Sequence, residues 1–121
     1  MLMTHHFADG VLTVRLAPEV TIRHRAALTL AVEELLRAHR PHHTLIVAEG
    51  TWTPAAFSTT LRAHRAALQR GSTFAVVTAA PGAGRQLNAN ASTTVPVYTS
   101  VTLALEAAHG ANTVHDAQGV S

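Results

Sequence analysis

The residues Val11-Leu12-Thr13-Val14-Arg15-Leu16 alternate apolar and polar and are rich in β-branched side chains, which is the pattern of a half-buried strand. Asp9-Gly10 just before it is a turn dipeptide, so a short strand near His5 to Ala8 is expected to pair with it as a hairpin. From Ile22 the period becomes helical. Leu28, Ala31, Val32, Leu35 and Leu36 share one face, Arg25, Glu33 and Arg37 lie off it, and Pro41 ends the helix near His39. Leu45-Ile46-Val47-Ala48 is a continuous apolar run between helices, as in a buried parallel strand. Thr53-Pro54 reads as an N-cap followed by proline at the first helical position. Phe57, Leu61, His64 and Leu68 form the expected inward stripe of that helix, and Gly71 its terminator. Phe74 to Val77 is a further strand, expected beside Leu45 to Ala48, parallel to it and equally buried. Pro81 to Leu87 reads as a short helical turn, and Val95-Pro96-Val97-Tyr98 as a strand that its proline assigns to an edge. Ser100 caps a closing helix whose apolar content is Val101, Leu103, Leu105 and Ala108.

The order β-β-α-β-α-β-α-β-α predicts an α/β fold in one domain spanning residues 1–109. It combines a mixed β-sheet, an N-terminal hairpin followed by parallel strands, with about four helices packed mainly on one face. Residues 110–121 have no periodicity and read as a frayed tail.

Composition narrows the function classes. With 121 residues and 47% hydrophobic content, one core can close, but only 4% of residues are aromatic, so it must be built from Ala, Val, Leu and Ile. Charged residues are 13%, against about 25% in ordinary domains, leaving more neutral surface for a partner. The net charge of +2 comes from arginines scattered over two helices without aromatic-rich strands between them, which argues against nucleic acid. There is no cysteine, hence no disulfide framework, thiolate metal site or cysteine nucleophile. No apolar run approaches the roughly 20 residues of a membrane span, and the start lacks the regions of a signal peptide, so a cytoplasmic protein is expected.

Chemistry-bearing motifs are few. His39, His42 and His43 cluster around Pro41, but their spacing is not that of a zinc site and no carboxylate lies nearby in sequence. Pro81-Gly82-Ala83-Gly84 lacks the Lys-Ser/Thr of a phosphate loop. The only aspartates, Asp9 and Asp116, fall in a turn and in the tail, so no catalytic triad assembles. No catalytic residue, cofactor or metal is therefore assigned, and the chain reads as a binding protein rather than an enzyme. Ser58, Thr59 and Thr60 read as surface hydroxyls or as bonded back to the preceding helical turn.

Four segments in this order resemble the STAS domain of bacterial anti-sigma factor antagonists. Val11 to Val20 (VLTVRLAPEV) is similar to the family's second strand and Gly-Glu-Leu-Asp turn, with Glu19 kept. Leu61 to Arg65 followed by Gly71 is similar to its second helix. Phe74 to Pro81 is similar to its fourth strand. Pro96 to Ser100 followed by Leu103 to Ala108 is similar to its Pro-Val-Phe-Asp-Ser ending. The resemblance covers about Gly10 to His109.

The resemblance implies a signalling module that binds an anti-sigma factor, itself a Ser/Thr kinase, and so regulates transcription. Its partner surface maps to Glu19, Thr21, Thr53, Pro54, Ala55 and Phe57. In the family a serine at the start of the second helix, within Asp-Ser-Ser/Thr-Gly-Leu, is phosphorylated and releases the partner. Here Thr53 stands at the acid, and Pro54 and Ala55 stand at the hydroxyls, so the usual switch is lost. Thr21 replaces a second acid. Thr53 and Ser58 remain as phospho-acceptor candidates, although an N-cap threonine already uses its hydroxyl on the backbone. Ala55 is expected to be exposed, where a carboxylate would leave the core untouched. A second reading is a small-ligand or anion-binding module that uses the N-terminus of the second helix. Neither nucleic acid nor membrane is expected as a partner, and self-association as a homodimer stays open.

Overall fold

A computed structural model describes residues 3–18, 21–48 and 52–109. Its first turn shows why the hairpin forms. Asp9 and Gly10 both take positive φ (54° and 78°), the pair of left-handed residues that a two-residue hairpin needs. A Cβ on Gly10 would also lie 2.8 Å from His42 Cδ2, so glycine is required there for space as well. Strand β1 (Met3–Ala8) therefore pairs antiparallel with β2 (Val11–Leu16), from Ala8↔Val11 to Met3↔Leu16.

A 3-10 turn (Ile22–His24) leads into α1 (Arg25–His39), which ends at Arg40 in the left-handed conformation before Pro41. Then follow β3 (His43–Ala48), α2 (Pro54–Gln69), β4 (Thr73–Val77), α3 (Ala83–Asn90), β5 (Val97–Tyr98) and a closing helix α4 at residues 101–109. The sheet order is β1-β2-β3-β4-β5, antiparallel only at the hairpin. The two apolar runs are neighbours in parallel register, with Ile46 opposite Val76, and both are buried. This is the predicted mixed-sheet α/β architecture.

Alternation along each strand divides the core. Leu12, Val14, Leu16, Ile46, Phe74 and Val76 face one layer, where α1 contributes Leu28, Val32 and Leu36 and α3 contributes Leu87. Val11, Leu45, Val47, Ala75 and Val77 face the opposite layer, covered by Ala104 of α4. Among the described residues, three helices thus share one face and α4 lies on the other.

Three local expectations need correction. In α2 the buried side chains are mainly small: Ala55, Ala56, Thr59, Thr60, Ala63, Ala66 and Ala67 together with His64. Phe57 and Leu61 lie at the edge of this face, and Leu68 is exposed. A helix packed against both the sheet and α1 needs small residues to come close, so size overrides hydrophobic rank. In α4, Leu103 is half exposed, and the inward positions are Ala104 and Ala108 with Val101 and Leu105 beside them. Finally, β5 is only two residues long, because Val95 is held instead by the side chain of Asn88. Its N–H donates to Asn88 Oδ1 (2.7 Å) and its carbonyl accepts from Asn88 Nδ2 (3.1 Å).

Candidate partner-binding surface

The N-terminus of α2 is built as the residue types dictate. Thr53 is extended and its Oγ1 accepts from Ala56 N–H (3.1 Å); Pro54 follows at the first helical position. Trp52, before the cap, makes an edge-on contact with Phe57 at 6.3 Å between centroids, closing a hydrophobic staple around the helix start. Trp52 Nε1–H also donates to Gln86 Oε1 of α3 (3.0 Å), tying the β3–α2 connection to the neighbouring helix. Sequence reasoning passed over Trp52. The order Trp-Thr-Pro-Ala-Ala-Phe carried the signal, since it sets a large apolar residue on each side of the cap at staple spacing.

The second component is the connection after β2. Thr21 N–H donates to His24 Nδ1 (3.1 Å), and the His24 N–H donates to the Thr21 carbonyl (2.9 Å), which winds residues 21–24 into one tight turn. The turn lies beside α2 and leaves Ile22 60% exposed. Among the described residues, this β-branched apolar side chain is mostly left to solvent. No acidic residue lies in this turn or in the first turn of α2. Among the described residues, the exposed side chains here are Ile22 and Pro54 with Thr21 and the basic Arg23 beside them.

Of the predicted partner residues, Thr21 and Pro54 are exposed, and Thr53 and Phe57 are half-buried. Glu19 lies outside the described residues. Ala55 differs from expectation: it is 2% exposed and belongs to the core, because the second helical position of α2 turns toward the sheet rather than to solvent. The exposed position of this turn is Pro54. Thr53 engages its hydroxyl in the cap, and Ser58 is half-buried. Thr59 and Thr60 are neither on the surface nor bonded back: both are fully buried, and their hydroxyls have no hydrogen-bond partner among the described residues.

The same geometry limits an anion at this helix end. Pro54 has no N–H, that of Ala56 goes to Thr53 Oγ1, and that of Phe57 goes to the Thr53 carbonyl (3.0 Å).

His64 is buried on the α2 face, 5.1 Å from the Phe74 ring, with its Nε2 3.3 Å from Thr93 Oγ1. Burial pushes its pKa below the ordinary 6.5, so it sits as a neutral packing residue. Among the described residues no three His, Asp or Glu side chains converge as a metal would require, and no helix is long and apolar enough to cross a membrane.

The fold is a small mixed-sheet α/β domain, and among the described residues Ile22 and Pro54 stand exposed beyond the end of the sheet where β2 and β3 finish. No family model and no curated protein matches the chain.

Proposed function

We propose that this protein is a non-enzymatic regulatory binding module of the STAS type, working in the bacterial cytoplasm. Its partner is an anti-sigma factor or related Ser/Thr kinase. The observation that carries the reading is the placement of Ile22 on a tight turn against α2. This turn and the Trp52–Phe57 staple belong to connections leaving the same end of the sheet. Loops at one end of a rigid sheet are free to serve recognition, and exposed aliphatic and aromatic side chains are what an interface core uses. The serine switch is absent, since Pro54 occupies the exposed position at the helix start and carries no hydroxyl. Binding is therefore constitutive with respect to phosphorylation there. The anion-binding alternative is weakened by Pro54, which offers no N–H, and by the Ala56 N–H already held by Thr53.

The test is affinity capture from native lysate with the prey identified by mass spectrometry, comparing the unmodified chain with Pro54→Glu and Ile22→Asp. Neither position is buried, so melting should change by no more than about 0.5 kcal/mol in equivalent stability. A desolvated, unpaired charge at an interface costs a few kcal/mol, so both variants should lose an anti-sigma kinase prey. The sole tryptophan, Trp52, then reports binding of the purified partner by fluorescence. Retained capture by both folded variants would remove this surface from the interface. A thermal shift with phosphate or nucleotides, without any kinase prey, would favour the anion reading instead.

A further inference from the structure

The open edge of a sheet selects its partner by chemistry, because unpaired N–H and C=O groups in strand geometry are matched by another strand. β1 lies at one end of the sheet order and, among the described residues, pairs with β2 alone. Natural edges are blunted by fixed charge, proline, a bulge or brevity. β1 has none of these. Its residues Met3-Thr4-His5-His6-Phe7-Ala8 include no proline and no Asp, Glu, Lys or Arg, and all but Met3 are exposed. The register with β2 runs from Ala8↔Val11 to Met3↔Leu16 without a slip, so no bulge turns the edge away. β5, at the other end, is two residues long and follows Pro96, which leaves little to pair with.

The strand is complementary to a second copy of itself. In a two-residue hairpin the pair flanking the turn, here Ala8 and Val11, is hydrogen-bonded, and bonded pairs alternate along the ladder. Thr4, His6 and Ala8 thus direct their backbone groups to β2, while Met3, His5 and Phe7 direct theirs outward. A two-fold axis at His5 sets Met3 opposite the partner's Phe7, His5 opposite the partner's His5 and Thr4 opposite the partner's His6. The outward N–H and C=O groups of all three residues are then engaged. The side chains of Met3, His5 and Phe7 lie on the α1 face of the sheet, across from Leu16, Val14 and Leu12. Phe7 stacks on His39 at 4.6 Å between centroids yet stays 37% exposed, so its ring is held at the edge and open to a methionine side chain. Neutral imidazole both donates and accepts, so His5 can face its own copy, as Arg or Lys could not. Of the strands, α1 lies nearest β2, one in from the edge. Across the axis the two α1 helices are then roughly 14 Å apart. Direct helix packing needs about 8–10 Å, so α1 does not obstruct the approach.

We propose that this protein is a symmetric dimer in which β1 pairs antiparallel with β1 of a second copy about His5, joining the two sheets into one. The two-fold pairing closes on itself, and the short β5 edge offers no route to a filament. The pairing involves neither Ile22 nor Pro54 and does not rest on the partner assigned to them.

Sedimentation velocity on the full chain should show twice the monomer mass at about 100 µM, with dissociation on dilution. Hydrogen exchange at the amides of His5 and Phe7 should slow as the concentration rises. His5→Pro removes both central bonds, and the N–H it lacks faces away from β2. Its circular dichroism should be unchanged and its dimer at least about tenfold weaker. His5→Lys opposes like charges at the axis without touching the core, and should weaken the dimer about threefold or more. The proposal is overturned if the unmodified chain is a monomer at about 100 µM, or if either variant, well folded, dimerises as before. Slow exchange of the edge amides in a monomer would overturn it by assigning the edge to another segment of this chain. A monomer whose edge pairs only with a captured protein would overturn it as well. His5→Lys decides the matter where His5→Pro fails to fold.

Discussion

Single residues carry two stabilities that the fold leaves unrealised. Arg40 ends α1 at φ 47°, a left-handed conformation that costs a side-chain-bearing residue about 1 kcal/mol and glycine almost nothing. Arg40→Gly should therefore raise unfolding free energy by about 0.5–1 kcal/mol in urea titration. Loss of stability would mean that the arginine side chain contributes more than its backbone costs. Thr60 is the second case. Its hydroxyl is buried without a partner among the described residues, and valine has the same shape without the polar atom. Thr60→Val should stabilise by about 1 kcal/mol, since a buried unsatisfied hydroxyl costs of that order. A destabilised variant would reveal a bound water at that hydroxyl.

At the scale of elements, the chain uses side chains where the backbone ladder stops. Pro96 has no N–H, yet its carbonyl still accepts from Val76 N–H (2.9 Å), and Tyr98 accepts from Thr78 N–H (3.0 Å). Val95, just before, is buried and relies on both polar ends of the Asn88 amide. Asn88→Ala should cost about 1–2 kcal/mol by leaving the Val95 backbone unpaired, although Asn88 itself is largely exposed. A cost under about 0.3 kcal/mol in chemical denaturation would show that solvent replaces the amide. Helix and strand existence was readable because each rests on local signals: Asp9-Gly10 for the hairpin, Thr53-Pro54 for the α2 start, Gly71 for its end. The inward faces of α2 and α4 were not readable. In both, leucine lies outward or at the rim while alanine lies inward; for α2 the gaps to α1 and to the sheet admit only small side chains. The same limit misplaced Ala55 at the surface.

For the molecule as a whole, the two histidines with lowered pKa, His64 through burial and His43 through burial and His109, set the response to acid. An unfolded histidine titrates near 6.5, above both native values. As pH falls through 6.5 the unfolded chain binds protons that the native chain refuses. Stability is thus full above this pH, declines on acidification, and levels off below the native values. The melting temperature should fall between pH 7.5 and pH 5.5. His64→Leu should flatten that slope, and an unchanged slope would assign the acid sensitivity elsewhere. The partner surface also belongs to this scale. Thr21 and Thr53 are 32 positions apart in sequence, and only the parallel pairing of β2 with β3 brings the segments after those strands to one end of the sheet.

The sequence by itself determined the element order, the hairpin, the parallel neighbours β3 and β4 and the edge position of β5. These follow from period, turn chemistry and missing N–H groups, all of which act within a few residues. Tertiary structure alone decided that small residues line the buried faces of α2 and α4, that Ile22 stands exposed beside α2, and that a cavity lined by His43 lies beneath α4. Each of these depends on the distance between elements, and close packing sets that distance from both sides at once.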